Sequence, residues 1–500
     1  MIIHHCFTSR LVLLISAFLL LSSNNNLLSQ PASLKKKVSR NVKENFVRVS
    51  GNYEAKLLVS CTNSKATTKV YFSGTAASEK RAYLDVSEHG FKIVRQDANK
   101  LDVWKNYPGT TTRKWSIRVL KKGNFFRFWV NKGTGWIRGP LGEWEKQFEP
   151  RENEVGVETS NDCKVVSSVT TLPWLQQAGK ALITPGPAGS FYEDHLIPGA
   201  ILEHKGQYYM YLMASMKGDQ EGGSRRTVGV AISRDLTNWR VHPEPLISYT
   251  QLPFDNLYVN GAVSTPEGKI AVMFSAQKFP EWKGFFLATA NDPLGPFELS
   301  PENPVYKHPG PAHEFDLVRA DNPDYRYILF YAGFTIKPPT GPGDGDRGYL
   351  LYSDDLIHWR ADKRNPVFKP ETLNDWDAVH IRPRSLNKIG DTWYLWYEGC
   401  NHWQPPTGNQ HGWWDTVGLA RSKDLIKWEY YPRNPALPGL GIGPDQFDSN
   451  WVGWPRMLVK DGIGYVFYTG NGMAGMRTIP IQTLTNWRSE GGKTFPIVKQ

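Results

Sequence analysis

Five stretches in the last three-fifths of the chain open with an aromatic residue and Asp, or a close variant. They are Phe191-Tyr192-Glu193-Asp194, Phe254-Asp255, Phe315-Asp316, Trp376-Asp377 and Phe447-Asp448. The first four Asp residues recur at one fixed interval, and the fifth follows after a longer one. Carboxylates brought together from separate repeats suit general acid/base chemistry, in which one group protonates a leaving oxygen and another activates water or attacks carbon. Acids that share a funnel repel one another, which raises one pKa and keeps an acid available at neutral pH. Asp194, Asp316 and Glu398 form the candidate catalytic set, with His380 as an alternative proton donor to Glu398. Glu398 ends an aromatic strand where other copies carry Ala332 or Thr469, and His380 stands near where copies two and five have Tyr258 and Trp451. A residue that breaks a repeat needs a local reason. The competing reading is structural: an Asp repeated in every copy caps a turn, most of all at Asp255 and Asp448, and His380 is a core histidine satisfied by a neighbour.

The repeats that carry these residues share an internal grammar. An opening strand leads to a turn such as His204-Lys205-Gly206, Pro266-Glu267-Gly268 or Ile389-Gly390-Asp391. An aromatic-rich second strand follows, and a third leads into Ser-x-Asp-Leu-x-x-Trp. That turn is complete at Ser233 to Trp239, Ser353 to Trp359 and Ser422 to Trp428, varied at Asn291 to Phe297, and reduced to Leu484 to Trp487 in copy five. Asp is suited to an Asx-turn, Leu to plugging the core, and Trp to packing on the adjacent blade. Proline in Glu244-Pro245, Asn303-Pro304, Asn365-Pro366 and Asn434-Pro435 suits an edge strand. Four strands in each of five copies predict a five-bladed β-propeller. Its long loops between strands two and three carry Arg225 and Arg226, then Asp344, Asp346 and Arg347, then His402, Trp403, His411, Trp413 and Trp414. Clustered on one face, they mark the ligand side. Asp344-Gly345-Asp346 is a candidate structural Ca²⁺ ligand set or a flexible loop. Arg319, Arg382, Arg384 and Arg456 lie on inner strands, suited to carboxylate or sulfate groups or to pairing with the blade acids.

The region before the repeats alternates in period two, as in Trp115-Ser116-Ile117-Arg118-Val119 and Phe125 to Asn131, which predicts an antiparallel β-sandwich. The Ser/Thr-rich stretch Ser160 to Thr171 reads as a linker. The expected organisation is therefore a signal peptide over 1–30, a β-sandwich over 31–172 and the propeller over 173–500. The signal is read from Arg10 and the apolar stretch Leu11 to Leu21, too short to span a bilayer comfortably; an uncleaved anchor is the other reading. Export permits disulfides, so Cys61 and Cys163 are expected to pair, leaving Cys400 as a lone thiol. No C-x-x-C spacing suggests a metal. The formal charge of +11 is spread along the chain, without the basic and aromatic runs of a nucleic-acid site.

The aromatic-Asp openings, tyrosine-rich second strands and Ser-x-Asp-Leu-x-x-Trp turns resemble the arabinanase, levansucrase and invertase group of five-bladed propeller glycoside hydrolases, over about residues 173 to 500. Asp194-His195-Leu196-Ile197-Pro198 resembles blade one of the neoagarobiose hydrolases, and the N-terminal strands resemble concanavalin or laminin-G modules. The resemblance implies a secreted or periplasmic hydrolase of poly- or oligosaccharides without a cofactor. It implies Asp194 as base, a second Asp as pKa modulator, and Glu398 or His380 as acid. His195, Asp255, Arg319, Asp377, Arg382, Arg384, His402, Trp403, Trp451 and Trp454 are candidate saccharide contacts, and the arginines and basic charge suggest an anionic or sulfated glycan. The chain departs from the group where an Asp-Pro step is usual: Ile197-Pro198-Gly199-Ala200 has no carboxylate. The alternatives are a non-catalytic carbohydrate-binding protein, or a glycan lyase or glycoside phosphorylase on the same scaffold.

Overall fold

The computed structural model describes residues 42–49, 52–63, 65–73, 80–87, 90–97, 100–108, 114–122, 125–131, 136–138, 142–143, 154–160, 162–171, 179–217, 225–334, 345–371, 377, 379–400, 416–437, 447–448, 452–486 and 494–496. The signal segment, Asp344, Trp376, His402, Trp403, His411, Trp413, Trp414, Trp451 and the Cys400 side chain lie outside the described residues.

The described chain is all-β apart from two short helical turns, Tyr249–Gln251 and Ile481–Thr485. A six-stranded and a seven-stranded antiparallel sheet enclose one core that includes Tyr53, Leu57, Phe72, Leu84, Trp115 and Phe128. Cys61 and Cys163 form a disulfide between paired neighbouring strands. The stretch read as a linker is not one. Cys163–Thr171 pairs along its whole length with Tyr53–Cys61, because its valines and threonines suit a half-buried strand. Its other edge receives Thr494–Pro496, so the end of the chain returns to this sheet.

Five four-stranded antiparallel sheets follow. Their first strands, His195–His204, Asn256–Ser264, Ala312–Asn322, His380–Ile389 and Gly453–Lys460, contact one another in sequence, and the last contacts the first. The ring is closed by a strand from before blade one: Lys180–Ile183 pairs with Met473–Pro480 as the outer strand of blade five. That explains why copy five keeps only a remnant of the turn. Its Ile481–Thr485 segment is helical, with Leu484 buried.

The recurrent turn works as an Asx network. Ser233 Oγ accepts from the Asp235 and Leu236 amides, and Asp235 Oδ1 accepts from the Thr237 and Asn238 amides at 2.9 and 2.8 Å. The network holds Leu236 buried in left-handed backbone at φ 66°, and Leu356 and Leu425 repeat this at 69° and 64°. A branched side chain is disfavoured there, so burial and the bonded turn together must over-determine it. Trp239 Nε1 donates to the Leu236 carbonyl, and its ring meets Phe467 of blade five edge-on. The Asn before the outer proline of blades two, three and four does more than end a strand. Asn365 Nδ2 donates to the Leu350 carbonyl while its Oδ1 accepts from the Leu350 amide, and Asn303 and Asn434 do the same with Leu287 and Leu419.

A buried ion cluster joins the sandwich to the ring. Glu54 accepts from Arg433 of blade four at 3.0 Å and from Arg118 of its own sheet, and Arg118 also donates to the Pro432 carbonyl. Burial alone would raise the Glu54 carboxyl, but Arg118, Arg433 and Lys56 hold it below its ordinary 4.5. A depressed carboxylate contributes stability above its unfolded pKa and loses it as pH falls. Glu54→Gln, which strands two guanidinium groups, is expected to cost on the order of 3 kcal/mol at pH 7. In thermal melts the gap to wild type should narrow as pH falls below the ordinary 4.5; a gap independent of pH would contradict this electrostatic role.

Candidate functional site

The blade-opening acids do not all occupy one position. Asp377 precedes its first strand and accepts from Tyr397 Oη at 3.0 Å, and Asp448 accepts from Tyr468 Oη and Arg477, each at 2.7 Å. Asp255 accepts from the Phe279 amide and from Lys278. These are turn and seam anchors. In blade three the equivalent partner of the second-strand tyrosine is His308, whose Nδ1 lies 3.0 Å from Tyr331 Oη. Asp316 instead lies within the first strand, paired with Phe330. The regular interval therefore aligned Asp316 with residues to which it is not equivalent, and the structure places it on the inner wall.

Three further carboxylates gather near Asp316. Glu314 lies two residues earlier on the same strand. Asp346 precedes the third strand of blade three, Arg347–Ser353, and Glu398 lies near the end of the second strand of blade four, Thr392–Cys400. Blade four's first strand contributes His380, Arg382 and Arg384, and blade five contributes Trp454 and Arg456. Arg384 has no exposed surface. Its Nη2 contacts Glu314 at 2.8 Å and also Glu398, and its guanidinium lies 4.7 Å from the Trp454 ring. Glu398 also accepts from the Trp454 amide and has no exposed surface. Arg456 donates to the Asp316 carboxylate at 3.3 Å, to Asn260 Oδ1 at 3.0 Å and to the Arg384 and Phe315 carbonyls. Asp346 faces His380 Nδ1 at 2.9 Å and accepts from Arg382.

The environments separate the acids. Burial pushes Asp316 up to about 6, against the opposing pull of Arg456 and the Leu386 amide. Burial acts on Glu314 in the same direction, but Arg384, His313 and Arg382 hold it well below the carboxylate range. Arg382 and His380 overcome burial at Asp346, so it too stays ionised. Asp316 keeps 15 % of its side chain exposed, whereas Glu314 keeps 3 % and Asp346 1 %. Asp316 is thus a carboxyl in reach of water that holds a proton in mildly acidic solution.

The remaining sequence candidates divide. Asp194 and His195 open blade one half-buried, the Asp194 amide bonding the Ser215 carbonyl. Burial, reinforced by the Arg226 charge, pushes His195 down to about 4. Arg319 lies at the hairpin end of its strand, bonded to Asp321 and the Ser264 carbonyl, and does not join the cluster. The inner-strand arginines Arg382, Arg384 and Arg456 are each paired with carboxylates. Glu314 was missed because its signal lay only in being an acid beside an inner-strand aromatic. Among the described residues, no group of three His, Cys, Asp or Glu side chains is arranged to hold a metal ion. Asp346 of the candidate Ca²⁺ set is bonded to His380 and Arg382.

No protein-family model and no curated protein matches the sequence. Among solved structures, a glycosyl hydrolase from Bacteroides ovatus is 15% identical over 61% of this chain and 95% of its own, with a TM-score of 0.47. A β-1,2-mannobiose phosphorylase from Listeria innocua is 13% identical over 62% and 98%, also at 0.47. A thermostable family-43 glycoside hydrolase is 16% identical over 57% and 88%, at 0.43. The five-bladed ring is established here by the chain's own strand pairing and closure.

Carboxyl-resolved NMR, comparing wild type with Asp316→Asn to assign the signal, should find the Asp316 titration near pH 6. Arg456→Met removes the opposing cation and should move it higher. A midpoint at the ordinary 3.8 in wild type would contradict the placement of this carboxyl.

Proposed function

We propose that the protein is a carbohydrate-active enzyme that hydrolyses a glycosidic bond of a poly- or oligosaccharide, with His380 as proton donor. The observation that supports this most is the Asp346–His380 pair, 2.9 Å apart, with Asp316 on the neighbouring inner strand holding a proton up to about pH 6. An Nδ1–H donated to Asp346 orients the imidazole, so that Nε2 becomes the proton-exchanging atom. Asp346 is then a positioning residue. Asp316 acts as the pKa modulator, and Asp194 is the base that activates water. The aromatic residues Tyr258, Trp282, Phe334 and Trp454 near these groups suit the apolar faces of sugar rings. Glu398 is not the donor in this scheme, because both its oxygens serve the clasp around Arg384 and Trp454. Export to the cell exterior or periplasm belongs to the same proposal.

The sealing of Glu398, with the missing carboxylate at Ile197-Pro198, favours a second reading: a saccharide-binding protein without turnover. A panel of plant and marine glycans, with product analysis in the presence and absence of inorganic phosphate, separates the readings. Hydrolysis requires phosphate-independent products. His380→Gln should then lower kcat by about 10²- to 10⁴-fold with little change in saccharide affinity. Asp346→Asn should lower kcat and displace the pH–rate profile. Binding without products would support the second reading, and products only with phosphate would make the enzyme a phosphorylase. Unchanged kcat in His380→Gln would remove His380 from the mechanism.

A further inference from the structure

Arg226 differs from the arginines of blades four and five that line the cluster. Arg382, Arg384 and Arg456 all pair with carboxylates, whereas among the described residues no carboxylate pairs with Arg226. Yet Arg226 is only 7% exposed. Its backbone is pinned at the seam of blades one and two, the amide donating to Asn256 Oδ1 at 3.0 Å and the carbonyl accepting from the Leu257 amide at 3.1 Å. Its Nη1 donates to Tyr258 Oη, its guanidinium carbon lies 4.7 Å from the Tyr258 ring centroid, and among the described residues its buried Nε has no hydrogen-bond partner. A guanidinium withdrawn from water without a counter-charge costs several kcal/mol, and a ligand anion would recover it.

The surroundings fit a charged sugar. Tyr258 meets Trp282 edge-on at 5.1 Å, and Trp282 lies 4.8 Å from the His313 ring, which leads to Glu314 and the acid cluster. This row of rings offers apolar surface between the cation and the proposed reaction centre, with the Trp282 face as its broadest part. Asp255, the opening acid of blade two, is engaged by Lys278 and the Phe279 amide. His195, the imidazole beside Arg226, is neutral at pH 7 and adds no charge of its own.

We propose that Arg226 and Tyr258, with Trp282 as stacking platform, form a subsite for a carboxylate or sulfate group carried on a sugar ring. The proposal rests on the saccharide reading of the funnel and adds the class of sugar and where its charge is read. Guanidinium forks bind both oxyanions in bidentate fashion, so the two are separated by experiment.

The test measures calorimetric affinity for two matched pairs: trigalacturonate against its methyl ester, and a sulfated galactotriose against its unsulfated form. Wild type should prefer the charged member of one pair by about tenfold or more at low salt, and the pair that shows this identifies the anion. Arg226→Gln should bring the ratio close to one, and Arg226→Lys should retain part of it. Tyr258→Phe, which keeps the ring, should reduce the ratio severalfold and serves as the second variant if Arg226→Gln does not fold. A wild-type preference below about twofold in both pairs, or one unchanged in Arg226→Gln, overturns the subsite even where neutral members bind or are cleaved. Failure of all four to bind overturns the subsite and the saccharide reading together.

Discussion

The buried guanidinium of Arg384 is the constraint on which the inner wall depends. It sits on blade four, takes Glu314 from blade three and Glu398 from its own second strand, and lies beneath Trp454 of blade five. A charge with no exposed surface is tolerable only with close, hydrogen-bonded counter-charges, so blades three and four must approach in one register. Arg456 donates to the Arg384 carbonyl while reaching Asp316 and Asn260 of blades three and two. Two arginines thus link four of the five blades through polar contacts.

That arrangement divides labour among the acids. The carboxylates nearest the cations, Glu314 and Asp346, are held ionised, and Glu398 is held in the clasp. Asp316, served only by Arg456 and amides, stays protonated to higher pH than Glu314 and Asp346. A histidine oriented by Asp346 and, on the neighbouring inner strand, a carboxyl whose charge changes near pH 6 share this wall. Carboxyls with unlike protonation, set apart by their environments, suit acid/base chemistry at one bond.

Much of the scaffold was legible in the sequence, since each Ser-x-Asp-Leu-x-x-Trp turn is a local device. Asp bonds the amides just ahead of it, Leu fills the core, and Trp packs on the preceding blade, so the pattern survives translation into structure. What was hidden depends on distant pairing. The closing strand Lys180–Ile183 carries little pattern of its own and is defined by Met473–Pro480. Asp316 was legible as a candidate but for a mistaken reason: its interval matched the turn acids, whereas His308 holds the equivalent place. Asp377 and Asp448 accept from second-strand tyrosines, a pairing that their interval alone does not reveal. Glu314, and the lack of a carboxylate partner for Arg226 among the described residues, emerge only when neighbouring blades are seen together.

The cross-blade ion cluster is tested most directly by a double-mutant cycle in unfolding free energy between Glu314→Gln on blade three and Arg384→Met on blade four. Residues that share a buried charge network are coupled, so the two costs should fail to add by about 2 kcal/mol, the double variant being less damaged than the sum of the singles. Costs that add within about 0.5 kcal/mol would show that the two side chains do not meet, and the convergence of acids on the inner wall would fall with them.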